Sequence, residues 1–86
     1  MKKTYRKNLK GQNVLIIGGS GFIGSHLAEE LIEKKVKRLV IVDNLSVGKK
    51  NNLKSIFNKI VFIKKNAENF DLIESVIKKY KINIVF

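Results

Sequence analysis

The chain has 86 residues, which is enough for one small domain and too few for two. It contains no cysteine and a single histidine, which excludes a disulfide scaffold, a metal site built from thiolates or several histidines, and a cysteine nucleophile. The longest aliphatic runs are four residues long, too short for a transmembrane helix or a signal-peptide core. We therefore expect a reduced, globular, cytoplasmic protein.

The net charge of +11, from 18 Lys and Arg against seven Asp and Glu, is large for so short a chain. Such a charge attracts polyanions, so a basic nucleic-acid-binding protein is one function class to weigh. Most lysines, however, are scattered among predicted helix ends and loops, and only residues 1–11 hold an unbroken basic segment without an acid. We interpret residues 1–11 as a loosely attached basic N-terminal arm, and the remaining charge as solvated surface.

The first predicted elements are a strand, a glycine turn and a helix. Residues 13–17 form a continuous apolar run that stops at a glycine, which is typical of a strand buried on both faces. Residues 18–21 predict a tight turn. From Phe22 to about Lys35, apolar side chains recur at intervals of four residues and acidic side chains take the opposite face, which predicts an amphipathic helix.

The rest of the chain continues the alternation of strands and helices. Residues 39–42 predict a second buried strand, and residues 50–58 predict a short helix. Residues 60–63 predict a third strand, and residues 82–86 the start of a fourth. Between them Asp71, followed by a glutamate three residues later, resembles a capping box, so we expect a helix to begin at Asp71.

This order of elements predicts the fold class. Strands that alternate with crossover helices form a parallel sheet with right-handed crossovers. We expect an α/β protein with a partial Rossmann, or doubly wound, fold. Its parallel sheet should have about four strands in the order 3-2-1-4, with the switch point between strands 1 and 4.

A glycine fingerprint lies where the first strand passes into the first helix. Gly18, Gly21 and Gly24 have the spacing of dinucleotide-binding loops. Gly18 allows a backbone conformation that a Cβ would strain. Gly21 lets a pyrophosphate approach the backbone, and Gly24 lets the helix lie close to the sheet. A tight turn that binds no ligand is the alternative interpretation.

Three residues of this turn have backbone N–H groups that we expect to be free. The amides of Ser20, Phe22 and Ile23 lie at the positive end of the helix macrodipole, which suits a diphosphate. His26 follows on the same helix. As a lone histidine beside the sheet, it is expected to be a packing residue and not a catalytic group.

An acidic residue follows the second predicted strand. Asp43 comes nineteen residues after Gly24, where an acid accepts hydrogen bonds from the ribose hydroxyls of a dinucleotide. Its charge would repel the 2′-phosphate of NADP, so NAD is favoured over NADP, although Arg38 and Lys49 lie nearby in the sequence and could soften that repulsion. A turn aspartate without a ligand is the alternative.

These motifs resemble a known family, the extended short-chain dehydrogenase/reductases, which are NAD-dependent epimerases and dehydratases of nucleotide sugars. Residues 14–27 are similar to the first strand, turn and helix of that family. Residues 43–48, with Asn52 and Leu53 further on, are similar to the loop after the second strand in UDP-glucose 4-epimerase and its relatives. The resemblance covers residues 9–86.

The resemblance implies a cofactor site in this chain, and neither a catalytic nor a metal-binding residue. In the intact enzyme, bound NAD would transiently oxidise a sugar carbon and return the hydride, so the nucleotide sugar is a substrate of the full-length parent only. The residues that it assigns to NAD are Gly18, Gly21, Phe22, Ile23, Gly24, Asp43 and Asn44.

The chain also departs from the family pattern. Ile17 stands where the family has Thr, and Ala67 stands where it has an Asp that meets the adenine. Neither Tyr5 nor Tyr80 begins the catalytic Tyr-x-x-x-Lys. We therefore expect residues 12–86 to be an incomplete NAD(P)-binding Rossmann domain that is truncated, inactive alone and prone to self-association. A stand-alone nucleotide-binding module without catalysis is the alternative.

Overall fold

The continuous apolar runs of the chain form strands, because β-branched side chains pack well on a sheet that is covered on both faces. The computed structural model describes residues 9–18, 20–45, 50–66 and 68–86. Within them, the strands are β1 (Asn13–Ile17), β2 (Arg38–Val42), β3 (Val61–Ile63) and β4 (Ile84–Val85). The helices are α1 (Phe22–Glu33), a 3₁₀ helix (Lys50–Lys59) and α2 (Phe70–Lys79).

The four strands form one parallel sheet in the order β3-β2-β1-β4. β1 pairs with β2 along its whole length, from Asn13 opposite Arg38 to Ile17 opposite Val42. On its other side β1 pairs with β4, and the amide of Asn13 donates a hydrogen bond of 3.0 Å to the side chain of Asn83. The predicted α/β class, the four parallel strands and the order 3-2-1-4 are confirmed.

Helices cover both faces of the sheet, so that successive residues of β1 and β2 are buried in opposite directions. On one face, α1 and the 3₁₀ helix pack on the first apolar cluster. On the other face, α2 packs on the second cluster through Val76. The first cluster includes Val14, Ile16, Ala28, Leu31, Leu39, Ile41, Leu53 and Ile56. The second includes Leu15, Val40, Val42 and Val76.

The short helix predicted at residues 50–58 is a 3₁₀ helix. In that geometry, residues three apart lie on one side. Leu53 and Ile56 are accordingly both buried, whereas their polar neighbours face solvent. The hydroxyl of Ser55 also donates a hydrogen bond of 2.7 Å to Glu29 of α1. The apolar spacing therefore fixes how this helix lies against α1.

The start of α2 differs from the sequence prediction. The helix begins at Phe70, and its N-cap is Asn69, whose side-chain oxygen accepts a hydrogen bond of 3.1 Å from the amide of Leu72. Asp71 lies inside the first turn, where its charge faces the positive helix end. The capping box predicted at Asp71 is wrong, because the extended backbone of Asn69 brings its amide side chain to the cap position first.

The described end of the predicted arm contacts the domain. Leu9 is buried in the first apolar cluster, which differs from the expectation of a loose segment. Its carbonyl accepts a hydrogen bond of 3.1 Å from Gln12, and the amide of Gly11 donates to the carbonyl of Lys35. Residues 1–8 lie outside the described residues, and the boundary at residue 11 stays a prediction. Over the described ranges, no helix has the length and apolar character needed to cross a membrane.

Candidate functional site

The carboxyl ends of β1 and β2 bring the glycine turn and Asp43 to the same edge of the sheet. Ile17 lies opposite Val42, and the next amide, that of Gly18, donates a hydrogen bond of 2.8 Å to the carbonyl of Val42. Gly18 has a φ of +81°, a conformation that L side chains rarely adopt. The conformation that the sequence predicted for Gly18 is therefore present.

Neither the backbone angles at position 21 nor crowding by the described atoms around it requires a glycine there. It is the N-cap of α1, with φ −72° and ψ 173°, which any residue can adopt. A Cβ built on it would meet no atom of the described residues within 4 Å. The described residues thus leave open space beside this backbone, and a side chain here would enter it.

The start of α1 lies beside that space. Because Gly21 has no side chain, no side-chain cap accepts from the first-turn amides, which include those of Phe22 and Ile23. The side chains of Phe22 and Ile23 are 76% and 82% exposed, an unusual position for two large apolar groups. Gly24 lies within the first turn and is half-buried. The helix thus begins beside Gly21 with uncapped amides and two exposed apolar side chains.

Asp43 is held in place by the glycine turn. Ser20 has no exposed surface, and both its amide and its hydroxyl donate to Oδ2 of Asp43, the amide at 2.9 Å. The amide of Leu45 donates to Oδ1 at 2.8 Å. The expectation that the Ser20 amide is free for a diphosphate is therefore wrong, because the neighbouring carboxylate already accepts from it.

These contacts lower the pKa of Asp43. Burial by itself would raise the pKa of the carboxyl, but hydrogen bonds from the Ser20 hydroxyl and from the amides of Leu45, Ser20 and Asn44 outweigh it. The pKa of Asp43 consequently lies below its ordinary value of 3.8. A negative charge with acceptor oxygens stands at this edge of the sheet at neutral pH.

A third element contacts the turn. The side-chain amide of Asn52, in the 3₁₀ helix, donates a hydrogen bond of 2.8 Å to the carbonyl of Ser20. Sequence reasoning missed the roles of Ser20 and Asn52. A serine between glycines gives no local signal of its contact with the acid after the next strand, and nothing in the spacing of Asn52 indicates its partner.

The remaining predicted residues fall in different places. Asn44 is exposed beside Asp43. His26 is exposed, with its ring edge-on to Phe22 at 4.5 Å and Nδ1 3.8 Å from Oε1 of Glu29. The expectation that His26 is a packing residue beside the sheet is wrong, because its helix position faces solvent and its ring contacts Phe22 of the same helix. Ala67 lies outside the described residues.

A concave region lies at the opposite edge of the sheet. It is a cleft of about 330 Å³. The guanidinium of Arg38 lies 5.7 Å from the ring centroid of Tyr80, and Nζ of Lys79 lies 5.4 Å from it. Within the described ranges, no group of three metal-ligating side chains occurs here or elsewhere. The residues that line the cleft are Asn13, Lys37, Arg38, Lys79, Tyr80 and Lys81.

Comparisons with known proteins agree on one group. A family model described as GDP-mannose 4,6-dehydratase matches residues 15–86. The dTDP-D-glucose 4,6-dehydratase of Dictyostelium discoideum is 40% identical over an alignment 78 residues long, which covers 86% of this chain and 18% of that protein. This chain spans about a tenth to a fifth of the length of the curated relatives it matches.

Solved structures of the same group resemble the fold. The UDP-glucose 4-epimerase of Thermotoga maritima, solved with UDP-glucose, has a TM-score of 0.78 and 36% identity, over 87% of this chain and 23% of its own. The UDP-glucose 4-epimerase of Brucella ovis, solved in complex with NAD, has a TM-score of 0.74 and 31% identity, over 86% of this chain and 21% of its own.

Proposed function

Because the chain belongs to the nucleotide-sugar epimerase and dehydratase family that the GDP-mannose 4,6-dehydratase model describes, we propose that it is an NAD-binding segment of such an enzyme. The observation that carries the proposal is Gly21. Its φ of −72° needs no glycine and its Cβ would meet no described atom, so neither the backbone angles nor crowding by the described residues requires a glycine at this N-cap. A ligand that approaches the backbone supplies one.

The residues beside Gly21 fit a diphosphate. The amides of Phe22 and Ile23 open α1 without a side-chain cap. Uncapped amides at a helix start carry the positive end of the macrodipole, so they stabilise a bound anion. A pyrophosphate held here would need no lysine or arginine.

Asp43 fits the ribose of the adenosine half. Its carboxylate is ionised at neutral pH, with a pKa that hydrogen bonds hold below its ordinary value, and it lies at the carboxyl end of β2. Ribose hydroxyls are donors that such a carboxylate accepts, and Asn44 beside it is a further contact that we propose. The 2′-phosphate of NADP would meet the charge of Asp43, so NAD is the preferred cofactor. The Brucella ovis epimerase, which this chain resembles, was solved in complex with NAD, which supports a nicotinamide dinucleotide as the ligand; the charge of Asp43 is the argument for NAD over NADP.

When bound, NAD supplies a hydride acceptor and donor for the oxidation of a sugar carbon. The residues of this chain bind and orient the cofactor through the glycine turn and Asp43. No tyrosine of the sequence is followed by lysine at the Tyr-x-x-x-Lys spacing. We therefore propose that this chain alone does not turn over nucleotide sugars, and that the sugar is a substrate of a longer parent protein.

Calorimetric titration of NAD into the chain tests the proposal. Saturable binding that weakens in Gly21→Val would support it. Binding that is absent from a folded chain, or that the valine leaves unchanged, would contradict it. Finding coding sequence for Tyr-x-x-x-Lys beyond residue 86 would distinguish an enzyme segment from a stand-alone nucleotide-binding module.

The basic cleft favours a second candidate function, the binding of a polyanion such as nucleic acid. Arg38 and Lys79 lie against the ring of Tyr80, and the cleft lining contains no carboxylate. Electrostatic binding to phosphates weakens steeply with salt. The test measures the affinity for a single-stranded oligonucleotide at several salt concentrations. A steep salt dependence that is lost in the double variant Arg38→Gln and Lys79→Gln, and kept in the control Lys54→Gln, would support this function. Salt-independent binding would exclude it.

A further inference from the structure

The turn between β1 and α1 is held from two sides through Ser20. On one side, the amide and hydroxyl of Ser20 donate to the carboxylate of Asp43. On the other side, the carbonyl of Ser20 accepts a hydrogen bond of 2.8 Å from the side-chain amide of Asn52. Ser20 itself has no exposed surface. Its peptide groups therefore have fixed partners before any ligand arrives.

The carbonyl that Asn52 holds belongs to the peptide unit that joins Ser20 to Gly21. In a trans peptide the N–H points away from the carbonyl of the same unit, and no cis peptide occurs among the described residues. The orientation of the Ser20 carbonyl thus sets the direction of the Gly21 N–H. The carbonyl of Gly21 is also fixed, since it accepts a hydrogen bond of 2.8 Å from the amide of Ser25.

The hydrogen bond from Asn52 to the Ser20 carbonyl matters more because the next residue is a glycine. Gly21 has a wide choice of backbone conformations, so the peptide before it rotates easily unless a partner holds it. The Asn52 side chain is the donor that the structure shows on the Ser20 carbonyl. Without it, part of the binding free energy of a diphosphate would be spent on ordering the turn.

The placement of Asn52 argues against a role in the core. Asn52 is exposed, and the packing of the 3₁₀ helix on α1 is carried by its neighbours Leu53 and Ile56, which are buried. Asn51, which directly precedes Asn52 in the same helix, is also exposed. Removing the Asn52 side chain therefore deletes the hydrogen bond to Ser20 and little apolar contact, and Asn51 offers a matched control.

We propose that Asn52 is a positioning residue of the dinucleotide site, which orients the Ser20–Gly21 peptide toward the bound diphosphate. This inference rests on the proposed NAD-binding function. It assigns to the 3₁₀ helix after β2 a part in cofactor binding that does not require contact with the cofactor. The donor group of Asn52 is essential to the role, so an isosteric aspartate cannot replace it.

The test compares Asn52→Ala, Asn52→Asp and the control Asn51→Ala in the full chain, with ADP and adenosine as probes. Asn52→Ala should weaken ADP binding by about fivefold, the size expected for one neutral hydrogen bond. Asn52→Asp should weaken it further, since its carboxylate faces a carbonyl. Adenosine lacks the diphosphate, so its affinity should be the same in all four proteins. Equal losses for ADP and adenosine, or a loss in Asn51→Ala, would overturn the proposal.

A second measurement needs no ligand. Amide hydrogen exchange at Ser20 should be faster in Asn52→Ala than in the wild type, while the amides of Leu15 and Val40 keep their protection. If those core amides also lose protection, Asn52 is structural and the proposal fails. If the wild type binds neither NAD nor ADP, the proposed function is contradicted. If exchange at Ser20 is nevertheless faster in Asn52→Ala, the positioning of the turn by Asn52 is still supported.

Discussion

The carboxylate of Asp43 accepts two hydrogen bonds from Ser20, a residue twenty-three positions earlier in the chain and with no exposed surface. This pair joins the loop after β1 to the loop after β2. It also ties the group proposed to bind ribose to the turn proposed to bind the pyrophosphate. A change at either residue should therefore affect both the fold and the cofactor site.

Ser20→Ala should destabilise the fold. The substitution removes a buried hydroxyl that donates to a carboxylate, and hydrogen bonds to charged groups contribute about 1.5–3 kcal/mol. The pKa of Asp43 should rise toward its ordinary value, because the Ser20 hydroxyl is the foremost of the hydrogen bonds that lower it. Urea denaturation gives the free energy of unfolding, with the exposed Ser75→Ala as the control. An unchanged stability would show that the Ser20–Asp43 contact contributes little.

Acid should weaken the fold through Asp43. Because the folded pKa lies below the unfolded value, the stabilisation is complete above the unfolded pKa and is lost as pH falls through the folded pKa. We expect the free energy of unfolding to decrease as the pH falls through and below the ordinary value of 3.8, and to decrease less in Asp43→Asn. Denaturation curves at several pH values measure both slopes. Identical slopes would mean that Asp43 is not the group responsible.

Gly21→Val should weaken NAD binding with little change in the stability of the fold. Valine adopts the backbone conformation of Gly21 and would meet no described atom within 4 Å, so the free energy of unfolding should change little. Its side chain fills the open space, so NAD affinity should fall at least tenfold, about 1.4 kcal/mol. The control is Gly11→Ala, at φ +80°, which should lower stability and leave NAD affinity unchanged. The assignment fails if valine lowers stability and affinity in parallel.

Asp43→Ala should narrow or reverse the preference for NAD over NADP. The variant loses the charge that repels a 2′-phosphate, although it also releases Ser20, so the ratio of the two affinities is the informative quantity. Asp71→Ala removes an exposed acid from the first turn of α2 and should leave the ratio unchanged. A wild type that already prefers NADP would refute the proposed role of Asp43.

The free edge of β4 should cause self-association. Within the described sheet β4 pairs with β1 alone, and the side chain of Val85 is 49% exposed. Unpaired strand edges bind other chains, and a charge on the edge discourages this. Sedimentation should show association that rises with concentration and that Val85→Lys reduces, whereas Lys64→Glu should not. A wild type that is monomeric at all concentrations would contradict this prediction.

The sequence predicted the features that depend on nearest neighbours along the chain. The apolar runs of β1 and β2 are recognisable without tertiary information, and so is the turn at Gly18, because its need for a positive φ is local. The α2 start was missed because the choice between Asn69 and Asp71 depends on the backbone angles of one residue.

Contacts between distant parts of the chain could not be predicted in this way. The partner of the Ser20 amide is fixed by the register of β1 against β2, which no local pattern reveals. The exposure of His26 likewise depends on how α1 is rotated on the sheet. The hydrogen bond from Asn52 to Ser20 depends on where a 3₁₀ helix comes to lie against the turn.

The strand order has a consequence for the rate of folding. On one side, β1 pairs with β2, which follows it after a short crossover. On its other side, β1 pairs with β4, and the hydrogen bond between Asn13 and Asn83 closes a loop of seventy residues. Loop closure costs entropy before such contacts stabilise anything, so parallel sheets with distant partners fold slowly. During synthesis on the ribosome, β1 and β2 would emerge and pair with one side of β1 uncovered until β4 is made.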